Sequence, residues 1–389
     1  MSPTGASAPA PDGARAQTQT QTQTQTQTQT ETRAAGRRMR LRSLLTEHDV
    51  DGMLVTSLAN FRYLSGFSGS NAALYVSASD PADDVIATDS RYTMQVGAEA
   101  PDLPLIIDRA SIRALVAGLA THGISRLLIE DSMSVQAHLD VRSTMRELIP
   151  VAGIIEGLRS VKDEAELASL ERACAITAEA MTALFDELQV GWTEIRAARR
   201  LEQLFGELGA DDRAFETIVG AGEHSAIPHH QPTSRPLAPG DLVVVDAGAR
   251  FEGYHADMTR TVIVGGTEAA WQAEIHDCVQ RGQQAALEAC VAGTEFAVID
   301  HAARGLIADA GFGEFFGHGL GHGVGLEIHE APMVGPRTVG RLGCSTPFTL
   351  EPGIYLPGRG GVRIEDTIVV EPGGTRVLTA AHRGPRAVG

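Results

Sequence analysis

The chain has 389 residues, 43% of them hydrophobic and 21% charged, which suits a two-domain globular protein with room for sizeable cores. Its 32 basic and 49 acidic side chains leave a net charge of −17, which excludes the basic footprint of a nucleic-acid binder. It has no run of about 18 apolar residues, so no membrane span is expected. Residues 1–38 read as a low-complexity tail, with a strict Gln-Thr repeat from Gln17 to Thr30 that has nothing to bury. The tail has no apolar segment of the kind a secretory signal carries. Cys174, Cys278, Cys290 and Cys344 form no CxxC pair, so they read as buried thiols of a reducing compartment, and a cytoplasmic location is expected.

From 39 to about 160 strand and helix patterns alternate, which gives an α/β domain. Apolar runs at 52–55, 72–76, 84–87 and 126–129 read as strands, and 111–123 and 134–147 as helices. From 161 to 389 the texture changes. Leu167, Leu170, Cys174, Met181, Leu184 and Leu188 recur at helical spacing. A second helix follows Gly191 and stops at Gly209, and a strand covers 241–246. The plan then repeats, with a helix over 268–291 and another between Gly293 and Gly311. Both Gly-to-Gly intervals are 18 positions, and each opens on a Thr-Glu pair that suits a helix N-terminus. An internal pseudo-duplication is the expected plan.

An acidic hairpin follows each half. In the first, Asp246 and Asp257 lie at equal distance from a turn between Phe251 and Glu252. In the second, Glu351 and Glu365 are symmetric about Gly358. Opposed residues of an antiparallel pair have Cβ atoms about 4.5–5.5 Å apart, and like charges placed so are destabilising. Four carboxylates beside apolar strands need protons or cations to sit there. Acids on solvent-facing edges are the plainer alternative. Between the hairpins, His318, His322 and His329 stand in a glycine-rich run expected to be a strand. Glycines there let backbone approach a site closely. His229 and His230 precede the first hairpin.

These residues resemble the methionine aminopeptidase, aminopeptidase P and prolidase family. The resemblance rests on Asp257-Met-Thr-Arg260, His318-Gly-Leu-Gly-His322, His329-Glu330-Ala-Pro332, Glu351-Pro-Gly-Ile-Tyr355 and Gly361-Val-Arg-Ile-Glu-Asp366. Asn60-Phe-Arg-Tyr-Leu-Ser-Gly-Phe-Ser-Gly69, Thr88-Asp-Ser-Arg-Tyr92 and Leu158-Arg-Ser-Val-Lys162 are similar to the creatinase/aminopeptidase P/prolidase branch. The resemblance implies an N-terminal creatinase/prolidase-like α/β domain (39–160) and a pseudo-duplicated pita-bread catalytic domain (161–389). It implies two divalent ions held by Asp246, Asp257, His322, Glu351 and Glu365. Mn²⁺ suits these donors best, with Co²⁺, Zn²⁺ or Fe²⁺ as alternatives. The implied activity is that of an Xaa-Pro aminopeptidase, which removes a residue preceding proline by attack of a metal-bridged hydroxide. Glu351, His229 and His329 take catalytic roles, and His318 and Arg363 shape the substrate side. A proline-containing peptide is the expected partner, and a homodimer or higher homo-oligomer the expected assembly.

The nearest rival is a dipeptidase (prolidase), which needs a cation for the substrate's free carboxylate; Arg337 lies in a loop where one could sit. Creatinase- or ectoine-hydrolase-like cleavage of other C–N bonds, and a non-catalytic binding module, are the further alternatives. Both go with loss of ligands that this sequence retains.

Overall fold

A computed structural model describes residues 33–384 and 386–389, so the Gln-Thr repeat lies outside the described residues. The chain divides between Leu158 and Arg159 into two units. The described chain is helical from 33 to 45, so residues 33–38, read above as the end of the tail, belong to the folded unit. The reason is Arg38, buried with its guanidinium on Asp84 and Asp102 and on the Leu64 carbonyl. Ala34 is buried too, and Arg37 donates to the Tyr63 carbonyl at 3.1 Å, so side-chain contacts order a helix where composition marks a tail.

The N-terminal unit is a six-stranded mixed sheet. Its strand order is Leu105–Ile107, Val85–Thr88, Ala72–Ser77, Gly52–Val55, Arg126–Glu130, Glu147–Val151. The expected helix over 134–147 is shorter, Val135–Val141, and the chain returns as the edge strand Glu147–Val151. Leu54, Tyr75, Leu127 and Ile129 of the sheet pack with Leu115 and Val116 of the helix Ser111–Thr121.

The second unit opens with the helix Glu164–Glu187. Asp163 caps Ala165 and Glu166 while the Glu166 side chain returns to the Asp163 N–H, a capping box worth about 1 kcal/mol. Leu170, Cys174, Thr177, Met181 and Leu184 form its buried stripe. The helices Glu194–Glu207 and Phe296–Asp309 each have 14 residues. Each is preceded by the same backbone join. Gly191 donates to Leu237 and Leu237 back to Trp192; Gly293 donates to Leu342 and Leu342 back to Thr294. The pairing Thr193 with Pro236 is matched by Glu295 with Arg341. These matched bonds carry the duplication. The Thr-Glu pairs do not align in it: Thr193 caps its helix through Oγ1, but its counterpart is Glu295, which makes no side-chain cap.

Each half has its own sheet and core. The first sheet runs Ala387–Val388, Met258–Val264, Leu242–Ala247, Ile218–Ala221. The second runs Glu330–Val334, Gly321–Gly323, Pro347–Leu350, Asp366–Glu371, Gly374–Val377. Val243, Val245 and Val262 anchor one core; Phe348, Ile354, Val362 and Ile368 anchor the other. The four cysteines are free, three of them buried and Cys344 half-buried. No described helix is long and apolar enough to cross a membrane.

Candidate metal centre

Register decides which side chains meet. In the first hairpin Phe251 pairs with Tyr254 across a two-residue turn, Glu252-Gly253, with φ of 49° and 81°. Both residues are left-handed, as a type I′ turn requires. The turn therefore centres one position later than its symmetric acids suggest, and Asp246 pairs with Thr259, not Asp257. A shift of two partners preserves the face, so both aspartates still point the same way, as diagonal neighbours. In the second hairpin Leu350 faces Asp366 and Gly353 faces Arg363. Glu351 and Glu365 therefore lie opposite each other, as the symmetry about Gly358 requires. Both sit where the chain leaves the larger sheet for the ribbon Gly353–Leu356/Gly360–Arg363.

Of the expected histidine strand only Gly321–Gly323 forms. His322 is in it, while His318 and His329 lie in the loops on either side. Gly321 fits because a Cβ there would stand 1.9 Å from the Thr349 carbonyl. This close approach brings His322 to the acids.

One pocket of about 570 Å³ is lined by all nine expected residues: His229, Asp246, Asp257, His318, His322, His329, Glu351, Arg363 and Glu365. Asp246, Asp257, His322 and Glu365 are between 2% and 8% exposed. The donor atoms of Asp257, His322 and Glu365 lie within 4.8 Å of one another. His322 Nδ1 donates to the Gly323 carbonyl at 3.0 Å, which turns Nε2 toward the acids. Nε2 is 3.5 Å from Asp257 Oδ2 and 3.5 Å from Glu351 Oε1. One imidazole nitrogen and two carboxylate oxygens thus converge, with the nitrogen beyond a good hydrogen bond to either oxygen. Oδ1 of Asp246, Oδ1 of Asp257 and Oε1 of Glu365 are also buried, with no hydrogen-bond partner. Orphaned carboxylate oxygens at this density fit cations, and the oxygen-rich set with one imidazole and no thiolate fits hard or borderline divalent metals. In the metal-free protein protons must take their place. Burial, then the charges of Asp246 and Glu351, pushes the Asp257 carboxyl well up. Burial, then Asp257, does the same to Glu365, and burial pushes Glu351 up to about 7.

The sequence did not announce the wall behind these ligands. Arg363 donates to Asp246 Oδ2 at 2.6 Å, to Thr259 Oγ1 at 3.0 Å, to the Tyr355 hydroxyl at 2.9 Å and to the Pro228 carbonyl at 3.2 Å. Tyr355 passes its own proton toward His318 Nε2 at 2.9 Å, since His318 Nδ1 donates to the Gly319 carbonyl. Both nitrogens of His318 and most of the Arg363 fork are therefore spent inside the wall. Thr259 donates to Glu365 Oε2 at 2.6 Å. Burial drives the His318 imidazole down to about 4, so it is neutral at pH 7. His329 packs its ring 4.3 Å from that of His322 and is likewise lowered, by partial burial and then by His322 and His229. Beside it, Glu330 is locked by Lys162 at 2.8 Å and by Arg159. Motif spacing flagged Glu330, Tyr355 and Lys162 as parts of larger patterns, but nothing in the spacing says which atoms they bind.

The comparisons with known proteins follow the same lines. The description "Metallopeptidase family M24" matches residues 168–372, and "Creatinase/Prolidase N-terminal domain" matches 37–161. A protein named Xaa-Pro dipeptidase from Pyrococcus horikoshii is 34% identical over 348 residues, 88% of this chain and 97% of that one. The solved structure of an Xaa-Pro dipeptidase from Bacillus anthracis superposes with a TM-score of 0.87 at 33% identity, covering 91% of this chain and 100% of that one. An X-Pro aminopeptidase from Thermotoga maritima superposes at 0.81 and 33% identity, covering 88% and 99%.

Proposed function

The chain belongs to metallopeptidase family M24, with a creatinase/prolidase N-terminal domain, and from that premise we propose that it is a metal-dependent Xaa-Pro dipeptidase. The supporting observation is the floor of the pocket, where four carboxylates and one imidazole nitrogen converge and three buried carboxylate oxygens lack a hydrogen-bond partner. Asp246, Asp257, His322, Glu351 and Glu365 would hold two divalent ions; the donor set favours Mn²⁺, with Co²⁺, Zn²⁺ or Fe²⁺ as substitutes. Bound ions supply an acidified water and positive charge for the developing oxyanion.

The rest is the work of side chains. Glu351 takes the proton of the attacking water and returns it to the proline nitrogen as that nitrogen leaves. His229 and His329, exposed at the pocket, stabilise the tetrahedral oxyanion and orient the peptide. Arg363 and His318 shape the substrate side through the wall described above, with Arg363 fixing Asp246. The chemistry is assigned to 161–389, with the N-terminal domain running to 160 and, by the helix described from 33, beginning there and not at 39. A homodimer or larger assembly, in the cytoplasm, completes the proposal; the free cysteines suit a reducing compartment.

The sequence pointed first to an aminopeptidase, and the Thermotoga neighbour keeps that reading open. The Pyrococcus and Bacillus proteins carry the dipeptidase name and align over nearly their whole length, which favours the dipeptidase. A dipeptide leaves a carboxylate on its proline. Arg337 is exposed in the loop whose Gly335 and Thr338 line the pocket, and we assign that carboxylate to it. Manganese-loaded enzyme is expected to cleave Gly-Pro and to leave Arg-Pro-Pro intact. Arg337→Ala should raise KM for Gly-Pro by about 10- to 100-fold, as loss of a charged hydrogen bond does, with kcat little changed. Cleavage of the tripeptide alone would return the chain to the aminopeptidases.

A further inference from the structure

His229 is exposed and makes no hydrogen bond among those described, yet a group that stabilises an oxyanion must be held in place. Its neighbours on both sides are held. Before it, the Pro228 carbonyl accepts from Arg363 at 3.2 Å. After it, His230 is buried and its Nε2 is 3.0 Å from Glu194 Oε2.

Glu194 is the first residue of its helix and is 0% exposed. Its carboxylate collects donors from the whole segment that carries His229. Oε1 accepts from the Ala221 N–H at 2.9 Å and faces His224 Nδ1 at 2.9 Å. Oε2 accepts from the Thr233 N–H at 2.9 Å, from the Thr233 hydroxyl at 2.7 Å and from His230. A carboxylate only accepts, so both imidazole nitrogens facing it carry hydrogens. Burial alone would raise this acid, but the hydrogen bonds outweigh it and hold it near about 2, so it is an anion. The rings of His224 and His230 lie 4.3 Å apart, both on that one carboxylate.

A cation is the obvious rival occupant, because Glu194, His224 and His230 each offer a donor atom within 4.8 Å of the others. Five donors already fill this carboxylate. No oxygen or nitrogen of the cluster is among the buried unpartnered atoms, in contrast to Asp246, Asp257 and Glu365. A cation entering here would have to break two good hydrogen bonds, whereas at the Asp257 centre it breaks none.

We infer that Glu194 is a positioning residue for the reaction: through His230 it fixes the loop that presents His229 to the substrate. The inference rests on the peptidase reading and extends it to a residue that does not line the pocket. Glu194→Gln keeps the volume but turns an acceptor into a donor that meets an N–H. It is expected to lower kcat for Gly-Pro on the order of 10- to 100-fold, the usual effect of losing an outer-layer partner. KM and the two bound Mn²⁺ per chain should stay unchanged. In a His229→Ala background the same substitution should cost no more than about twofold, because the route through His229 is already gone. His230→Gln, which keeps an Nε2 donor, should retain most activity, and His230→Ala should match Glu194→Gln. If Glu194→Gln fails to fold, the same cycle is run with the His230 variants and read in the same way. Losses that multiply in the double variant, or loss of bound Mn²⁺, would overturn the inference while leaving the peptidase reading intact. Failure of the unsubstituted enzyme to cleave any Xaa-Pro peptide would overturn both.

Discussion

Asp257→Asn is expected to abolish Gly-Pro hydrolysis, by about a thousandfold or more, while leaving the metal-free protein at least as stable as before. The two halves of that result come from one cause. Asp257 is 5% exposed, with one oxygen unpartnered and the other 3.5 Å from His322 Nε2, beyond a good hydrogen bond. No hydrogen bond therefore satisfies its charge, and a cation would. With metal, that charge holds the ion; an amide holds it poorly, and several kcal/mol of transition-state stabilisation go with it, at 1.36 kcal/mol per factor of ten. Without metal, the same charge is a burden, because burial and the acids around it push its carboxyl well up. A neutral isostere removes the burden. The check is kcat/KM beside the melting temperature in chelator. A structural aspartate would show the reverse, with a lower melting temperature in chelator and partial activity.

The second large effect is on stability against pH in the metal-free protein. Below 4.5 both the folded and the unfolded chain hold the Glu351 proton. Above it the unfolded chain releases the proton while the folded chain keeps it up to about 7. The folded state thus binds more protons across that window, and its stability falls as pH rises through it. The contribution is on the order of 3 kcal/mol, an upper figure because the side chain keeps 20% exposure. Asp257 and Glu365, raised by the same burial, carry the loss to higher pH. His276 and His318, lowered by burial to about 4, act in the opposite sense below 6.5, so the bare curve mixes the two. Comparison with Glu351→Gln in chelator removes the histidines. The native protein should lose stability relative to this variant between pH 4.5 and 8, and saturating Mn²⁺ should abolish the difference in slope. A difference that stays constant with pH would mean that Glu351 is not the buried, crowded acid described above.

Much of the site was legible because hairpin acids obey simple arithmetic. Glu351 and Glu365 are opposed about Gly358, and the register holds through the change of sheet. Asp246 and Asp257 were placed on the right face for a partly wrong reason. The turn is Glu252-Gly253, one position later, and only the two-residue periodicity of a strand saved the conclusion. The duplication was visible as two equal glycine intervals, although the Thr-Glu pairs that drew attention to it are out of step. What the sequence could not supply was hydrogen-bond direction. Arg363 was expected to shape the substrate side, and only the structure shows its fork on Asp246, Tyr355 and Pro228. Glu194 reads as a favourable acid at a helix start, which it is. Its five donors come from residues 27 to 39 positions away, and no local pattern records them. Residues 33–38 were lost to the tail because composition averages over a window and does not record the long-range contacts of Ala34, Arg37 and Arg38.

The central claim is that this pocket works only with two divalent ions between its four carboxylates and His322. Its most direct test is a titration of metal-stripped protein with Mn²⁺, following Gly-Pro hydrolysis and bound metal in the same samples. The account predicts no hydrolysis at zero metal and full activity at two equivalents per chain, with neither binding nor activity in Asp257→Asn. Hydrolysis by the stripped protein, or two tightly bound ions with no cleavage of any Xaa-Pro peptide, would contradict it.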